Sequence, residues 1–265
     1  MTELINDPQE INRLAEAFNS VSQEVDIVTT TPPSDTVELP GGYIFPDGTL
    51  ATTATVRELN GLDEEAIAKA GSINKAMNII LERGLVAIGE VALNKVNLDT
   101  LLIGDRDAIL LGIRRITFGE QYEFTLPCVK CDSDQTLVFD LTTDVDMVKL
   151  DDPVNDRTFT VEAKIGEVTL TLPNGFTNKK ILSSENKSYA ELVTDVLSGC
   201  IVAINGNPSM GRQTALTLGM KDREYLANTV LDRAPGPRLL GVNSACKACG
   251  NPIKLSLSLA DLFRL

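Results

Sequence analysis

Histidine is missing from all 265 residues, and so is tryptophan. Without histidine there is no Ser-His-Asp or Cys-His catalysis, no HExxH metalloprotease and no mixed Cys/His metal site. Aromatic residues make up 5%, too few for a base-stacking platform. Positive charge is short as well: 24 Lys and Arg against 37 Asp and Glu leave a net charge of −13. Phosphate-binding surfaces are built from Lys and Arg, so a nucleic-acid partner is not expected. No run approaches the roughly 18 uninterrupted apolar residues of a membrane span, so no membrane partner is expected either. The opening Met1-Thr2-Glu3-Leu4-Ile5-Asn6-Asp7-Pro8 has neither the basic nor the apolar region of a signal peptide. Synthesis and folding in a cytoplasm are therefore the expectation. Five cysteines, an odd number, make a poor disulfide framework in such a reducing compartment. No nucleophile–base pair stands out, so an enzyme is not expected.

What is present is a foldable chain, 43% apolar and 23% charged, long enough for one large domain or two modest ones. Asp7 as N-cap, Pro8 at the first position and Leu14, Ala17, Phe18 and Val21 at helical spacing predict an early helix. It ends in the linker Thr29 to Asp35, and residues 1–36 read as an arm. The remainder reads as two copies of one unit. Leu59-Asn60-Gly61 matches Pro173-Asn174-Gly175 at an offset of 114, and Leu85 to Ile88 matches Ile201 to Ile204 at 116. Asp105-Arg106 matches Asp222-Arg223 at 117, and Cys128 and Cys131 match Cys246 and Cys249 at 118. The order is the same in both halves; the alternative is coincidence between short blocks.

The expected fold class is α+β: two tandem pseudo-symmetric units over residues 37–142 and 143–265. Each runs as a hairpin, one or two helices, a Val-Ala-Ile segment, an Asp-Arg helix, a CxxC turn and a closing strand. The hairpins are Gly42 to Leu59, turning at Pro46-Asp47-Gly48, and Arg157 to Leu172, turning near Gly166-Glu167. Helices are expected at Asp63–Arg83, Asp105–Phe118, Tyr189–Leu197 and Asp222–Arg233.

Cys128-Val-Lys-Cys131 and Cys246-Lys-Ala-Cys249-Gly250 carry the strongest chemical signal. A CxxC turn aims two thiolates at one point, and two such turns complete a tetrahedral Cys₄ zinc site. Gly250 fits the positive φ that follows such a knuckle. Flanking Glu123 to Leu126, Leu137 to Phe139 and the alternating Ile253 to Leu259 read as strands, giving a zinc-ribbon pattern stretched by 114 intervening residues. Each copy would supply half the site, and one structural zinc per chain would clamp the copies together. An Fe–S centre or a redox CxxC are the alternatives, although a redox pair prefers a helix N-terminus. Four committed cysteines leave no open coordination position. Apparent binding energies of such sites are on the order of 10 kcal/mol. Cys200, inside Val196 to Ile204, reads as a small buried hydrophobe.

Other candidates have plain readings. Arg106, Arg114 and Arg115 either belong to a well-capped core helix or anchor a partner's carboxylate. Asn205 to Arg212 lacks the Gly-Lys-Ser/Thr ending of a phosphate loop and reads as a surface loop. Asp140, Asp144, Asp146, Asp151 and Asp152 lack calcium-loop spacing and read as a solvated acidic linker. Ala234-Pro235-Gly236-Pro237 reads as a break in the chain.

The run Leu101 to Arg114, then Phe118-Gly119-Glu120-Gln121-Tyr122-Glu123-Phe124 and the first CxxC, is distinctive. With Leu39-Pro40-Gly41-Gly42-Tyr43, Thr55 to Leu59 and Asp63 to Ala66, it resembles the baseplate hub and tail-assembly proteins of contractile-tailed phages of the T-even type. The resemblance covers roughly residues 38–140, and the second half joins through Asp222-Arg223, the CxxCG knuckle and Leu262-Phe263. One departure is the first knuckle, Cys128-Val-Lys-Cys131-Asp132, which lacks the usual proline and glycine. The resemblance implies a structural role in the tail baseplate of the virion, with other tail proteins as partners, reached from the host cytoplasm during assembly. An assembly chaperone absent from the virion is the alternative, and a zinc-ribbon nucleic-acid-binding factor the third reading.

Overall fold

The computed structural model describes residues 32–183, 187–256 and 258–263. The helix expected after Asp7 and the linker up to Thr31 lie outside the described residues. The fold is mixed α+β, with eight α-helices among the described residues and several small sheets.

Strand β1 (Ser34–Ile44) pairs antiparallel with β2 (Leu50–Arg57), and its first three residues fall inside the stretch read as an arm. The ladder is interrupted between Glu38 and Tyr43, where Pro40 cannot donate and Gly42 takes φ +69°. Asn60 then caps α1 (Gly61–Ala68), its side chain accepting from the N–H groups of Leu62 and Asp63. Helix α2 (Ile73–Gly84) follows, where one helix from Asp63 to Arg83 was expected. The break comes from Gly71, at φ +72°, and Ser72, whose hydroxyl caps α2 by accepting from the Lys75 N–H. Strands β3 (Leu85–Ile88) and β4 (Val91–Ala92) complete a sheet of order β1-β2-β3-β4. Helix α3 (Ile103–Phe118) lies on it, with Ile109 and Ile113 fully buried against Ile80, Leu81 and Ile88.

Strands β5 (Gln121–Pro127) and β6 (Asp134–Asp140) form a hairpin. In β6, Gln135, Leu137 and Phe139 point inward at a period of two. Strand β7 (Asp146–Val148) leads to the hairpin β8 (Thr158–Ala163) and β9 (Gly166–Thr171), whose turn falls at Lys164-Ile165. Asn174 caps α4 (Gly175–Ile181), a helix the sequence pattern did not place, accepting from Phe176 and Thr177 as Asn60 does in α1. Helix α5 (Tyr189–Cys200) runs directly into β10 (Ile201–Ile204), which turns at Asn205-Gly206 into β11 (Asn207–Pro208). This hairpin replaces the expected surface loop; both turn residues have positive φ, which Asn and Gly tolerate. The second sheet has the order β11-β10-β9-β8. Helices α6 (Arg212–Thr217) and α7 (Met220–Arg233) pack there, around Leu170, Leu197, Cys200, Leu226 and Val230.

Strand β12 (Gly236–Arg238) pairs with β7, with Pro237 opposite Met147. The expected acidic linker and the expected chain break thus meet as a two-stranded ladder, short enough for proline to be tolerated. Strands β13 (Leu240–Ala245) and β14 (Pro252–Ser256) form the last hairpin. Helix α8 (Leu259–Leu262) begins where strand was expected, because the Ser258 and Asp261 side chains form a reciprocal capping box.

Candidate metal centre

The β5–β6 and β13–β14 hairpins end in the same turn. In the first, the Cys128 N–H donates to the Ser133 carbonyl (3.0 Å) and the Asp132 N–H to the Cys128 carbonyl (2.8 Å). In the second, the Cys246 N–H donates to Asn251 (2.9 Å) and the Gly250 N–H to Cys246 (2.8 Å). The residue after each second cysteine is left-handed: Gly250 at φ +70° and Asp132 at φ +57°. The missing glycine of the first knuckle is therefore replaced by an aspartate in the same conformation, one of the few side chains that accept it.

The turns bring all four sulfurs together. Sγ of Cys128, Cys131, Cys246 and Cys249 lie within 4.8 Å of one another. Cys128–Cys249 and Cys131–Cys246 are each 3.7 Å apart. A tetrahedron with metal–sulfur bonds of about 2.3 Å has edges of about 3.8 Å, so the set can hold one metal ion. The spacing is far beyond a disulfide bond of about 2.05 Å. Cys128 and Cys246 are buried, over Leu126, Leu137 and Ile253, while Cys131 faces solvent.

Two residues that sequence reasoning missed support the sulfurs. The Ser133 hydroxyl lies 3.0 Å from Cys131 Sγ and 3.6 Å from Cys246 Sγ. Gln135 Nε2 donates to the Ser133 hydroxyl (3.0 Å), and its Oε1 accepts from the Lys247 N–H (2.8 Å), tying one hairpin to the other knuckle. Gln135 had a signal: it is the polar member of the inward set completed by Leu137 and Phe139. Ser133 had none.

Four clustered thiols cannot ionise independently. Burial opposes ionisation of Cys246, but hydrogen bonds from the Ser133 hydroxyl and the Cys249 and Ala248 N–H groups outweigh it and bring the thiol down to about 6. At Cys249 the Asn251 N–H favours the thiolate, yet burial and the neighbouring sulfurs prevail and push it up to about 12. A cation at the centre removes that conflict by stabilising every thiolate together.

Cys200, Arg114 and Arg115 serve the fold. Cys200 is fully buried in the second core, its thiol pushed up to about 12 by burial. Arg114 donates from Nε to the Leu262 carbonyl (2.6 Å), and Arg115 pairs with Glu120 (3.1 Å). Arg106 reaches the Asn78 side chain (2.8 Å). Asp140 and Asp152 accept from the backbone N–H groups of the turns that follow them. Among the described residues, no carboxylate cluster has the geometry to hold a metal. No helix among them is long and apolar enough to cross a membrane.

Residues 53–179 match a family model described as T4 bacteriophage base plate protein. That stretch runs from β2 to α4 and includes Cys128 and Cys131 but not the second knuckle. No curated protein and no solved structure matches the chain. Over residues 53–179, which carry β3, β4, α3 and the first knuckle, the chain is similar to the T4-type phage baseplate protein family.

Proposed function

We propose that this chain is a structural component of a phage tail baseplate, associated with its hub or wedges, binding neighbouring tail subunits in the virion. One zinc ion per chain, held by Cys128, Cys131, Cys246 and Cys249, staples it. The observation that carries the reading is the pair of knuckles, far apart in sequence, whose sulfurs take the edge lengths of a single-ion tetrahedron. A cluster of several irons needs its thiolates spread wider. A redox CxxC is better served by a helix N-terminus than by the strand turns found here. Four thiolates leave a zinc no open position for a substrate, so the metal acts on stability and the role is structural, not catalytic.

The two halves read as copies of one unit with the metal joining them. Support comes from the matching strand orders, from Asn60 and Asn174 as helix caps, and from the Asp-Arg pairs of α3 and α7.

Elemental analysis of the purified full chain tests the metal: one zinc per chain is expected. Iron with cluster absorbance, or no stoichiometric metal, overturns it. Mass spectrometry of purified virions tests the placement. Absence from the particle would move the reading to an assembly chaperone.

A further inference from the structure

Helices α3 and α7 each carry an arginine at the fourth position, and the two are partnered differently. Arg223 of α7 donates to the Ala215 carbonyl, to the Ala190 carbonyl (3.0 Å) and to the Thr194 hydroxyl (2.8 Å). Ala190 and Thr194 are the second and sixth residues of α5. Arg106 of α3 meets the sixth residue of α2, Asn78, at 2.8 Å, and reaches the Leu98 carbonyl at 3.4 Å, the far limit of a hydrogen bond. The second residue of α2, Asn74, accepts nothing from it and instead lines a cleft of about 470 Å³ that Arg106 also lines.

Arg106 is nine-tenths buried, at 9% exposure. Among the described residues no carboxylate lies within ion-pair distance of it. Burial pulls its guanidinium below the ordinary value, and Asp107, Asp99 and Glu82 attract it only from farther off. A buried cation so placed gains from an anion at hydrogen-bond distance. The cleft also presents Lys75, Lys179 and the side-chain amides of Asn74 and Asn178. Among the lining residues, Lys179 is matched by Asp99 at 2.6 Å and Glu82 offsets one further charge, so the cations of the lining outnumber its carboxylates by one, before Asp107, outside the lining, is counted.

We propose that this cleft binds a carboxylate, taken by the spare N–H groups of Arg106 with Lys75 at the rim. The planar guanidinium matches a carboxylate's two oxygens. A phosphate dianion would face the repulsion of Asp99 and Glu82 with two charges instead of one. The carboxylate comes from an acidic side chain of a neighbouring subunit or from a small free acid, and the chemistry is the same for both.

The test is an NMR titration of the ¹⁵N-labelled full chain, following the Arg106 Nε–H resonance. The probes are sodium acetate, acetyl-Gly-Glu-Gly-amide, sodium phosphate and sodium chloride at matched ionic strength. Acetate or the peptide should give a saturable shift in the millimolar range, and chloride none. Tighter binding of the peptide assigns a partner's side chain; binding of acetate alone assigns a free acid. Arg106→Lys should weaken binding at least tenfold. Because that variant also loses a structural contact, Lys75→Ala at the exposed rim serves as the second, with a loss of about threefold. A shift that chloride reproduces, tighter binding of phosphate than of acetate, or an affinity unchanged in Lys75→Ala overturns the proposal.

Discussion

Helices α3 and α7 begin with the same Asp-Arg pair at the third and fourth positions, yet one is a core element and the other a surface one. In α3, 10 of 16 residues are buried; in α7, 4 of 14 are. Helix α3 is packed by β1, α2, β12 and α8, so small residues sit where the neighbours come closest. A Cβ on Gly104 would meet the Pro235 carbonyl oxygen at 1.7 Å, and one on Gly112 would meet Val37 at 2.2 Å. The aspartates differ as well. Asp222 uses both oxygens, on the Lys164 and Ile165 N–H groups at 3.0 and 3.1 Å. Asp105 accepts from the Gly41 N–H at 2.7 Å with one oxygen and leaves the other buried without a partner. The same pair therefore meets different neighbours in the two helices, a strand residue at Asp105 and a hairpin turn at Asp222, and burial decides how much each contact matters.

The largest expected effect ignores this asymmetry. Cys128→Ser and Cys246→Ser should both lose the metal and destabilise the chain alike, by several kcal/mol out of a site worth on the order of 10. Metal stoichiometry and urea denaturation check this. A loss confined to one of the two would mean that the knuckles do not share an ion.

Next comes the second position of each helix. Gly104→Ala must displace the Pro235 backbone and should cost about 3 kcal/mol. Lys221→Ala, at the same position of α7, should change stability by less than about 0.5 kcal/mol. Equal effects would erase the distinction between core and surface helix.

Asp105 gives a pH signature. Burial raises its carboxyl from 3.8 to about 7, against the Gly41 hydrogen bond and the Arg157 charge. The folded chain therefore holds this proton more tightly than the unfolded one. Its stabilisation is complete below about 3.8 and is lost as pH rises through about 7, with a slope of at most about 1.4 kcal/mol per pH unit. Asp105→Asn should flatten that part of the stability profile and gain on the parent chain above pH 7. Denaturant midpoints across this range decide it, and parallel profiles for the two proteins would count against the buried, half-satisfied carboxylate.

The smallest effects are the caps. Asn60→Ala and Asn174→Ala remove equivalent pairs of hydrogen bonds and should each cost about 1 kcal/mol. The loss at Asn60 should be the larger, because Asp63, which completes its capping box, is also held by Arg57 and Arg83. A smaller loss at Asn60 than at Asn174 would invert that ranking.

Much of this was legible in the sequence where local chemistry dictates the outcome. The CxxC pairs, both hairpins and the Asp-Arg helices announce themselves through spacing and turn residues. Elements fixed by distant partners did not. The β7–β12 ladder joins an acidic stretch to a proline-rich one, and neither has strand character alone. Helix α4 is seven residues long, and its start is set by the Gly175 N–H on the Leu101 carbonyl, a contact outside its own segment. The break between α1 and α2 was visible in Gly71-Ser72 but outweighed by the long apolar stripe. At the candidate metal centre the four sulfurs were readable, whereas Ser133 joins them only once the two hairpins meet.

The distance along the chain between the knuckles also has a consequence in time. A ribosome delivers Cys128 and Cys131 first and must add 114 residues before Cys246 appears. At about 5–20 residues per second that interval lasts about 6–23 s. For that time the early thiols have no second pair to complete a grip, so the centre closes only after most of the nascent protein has left the exit tunnel. A polypeptide interrupted in between lacks Cys246 and Cys249 and so cannot assemble the four-sulfur set.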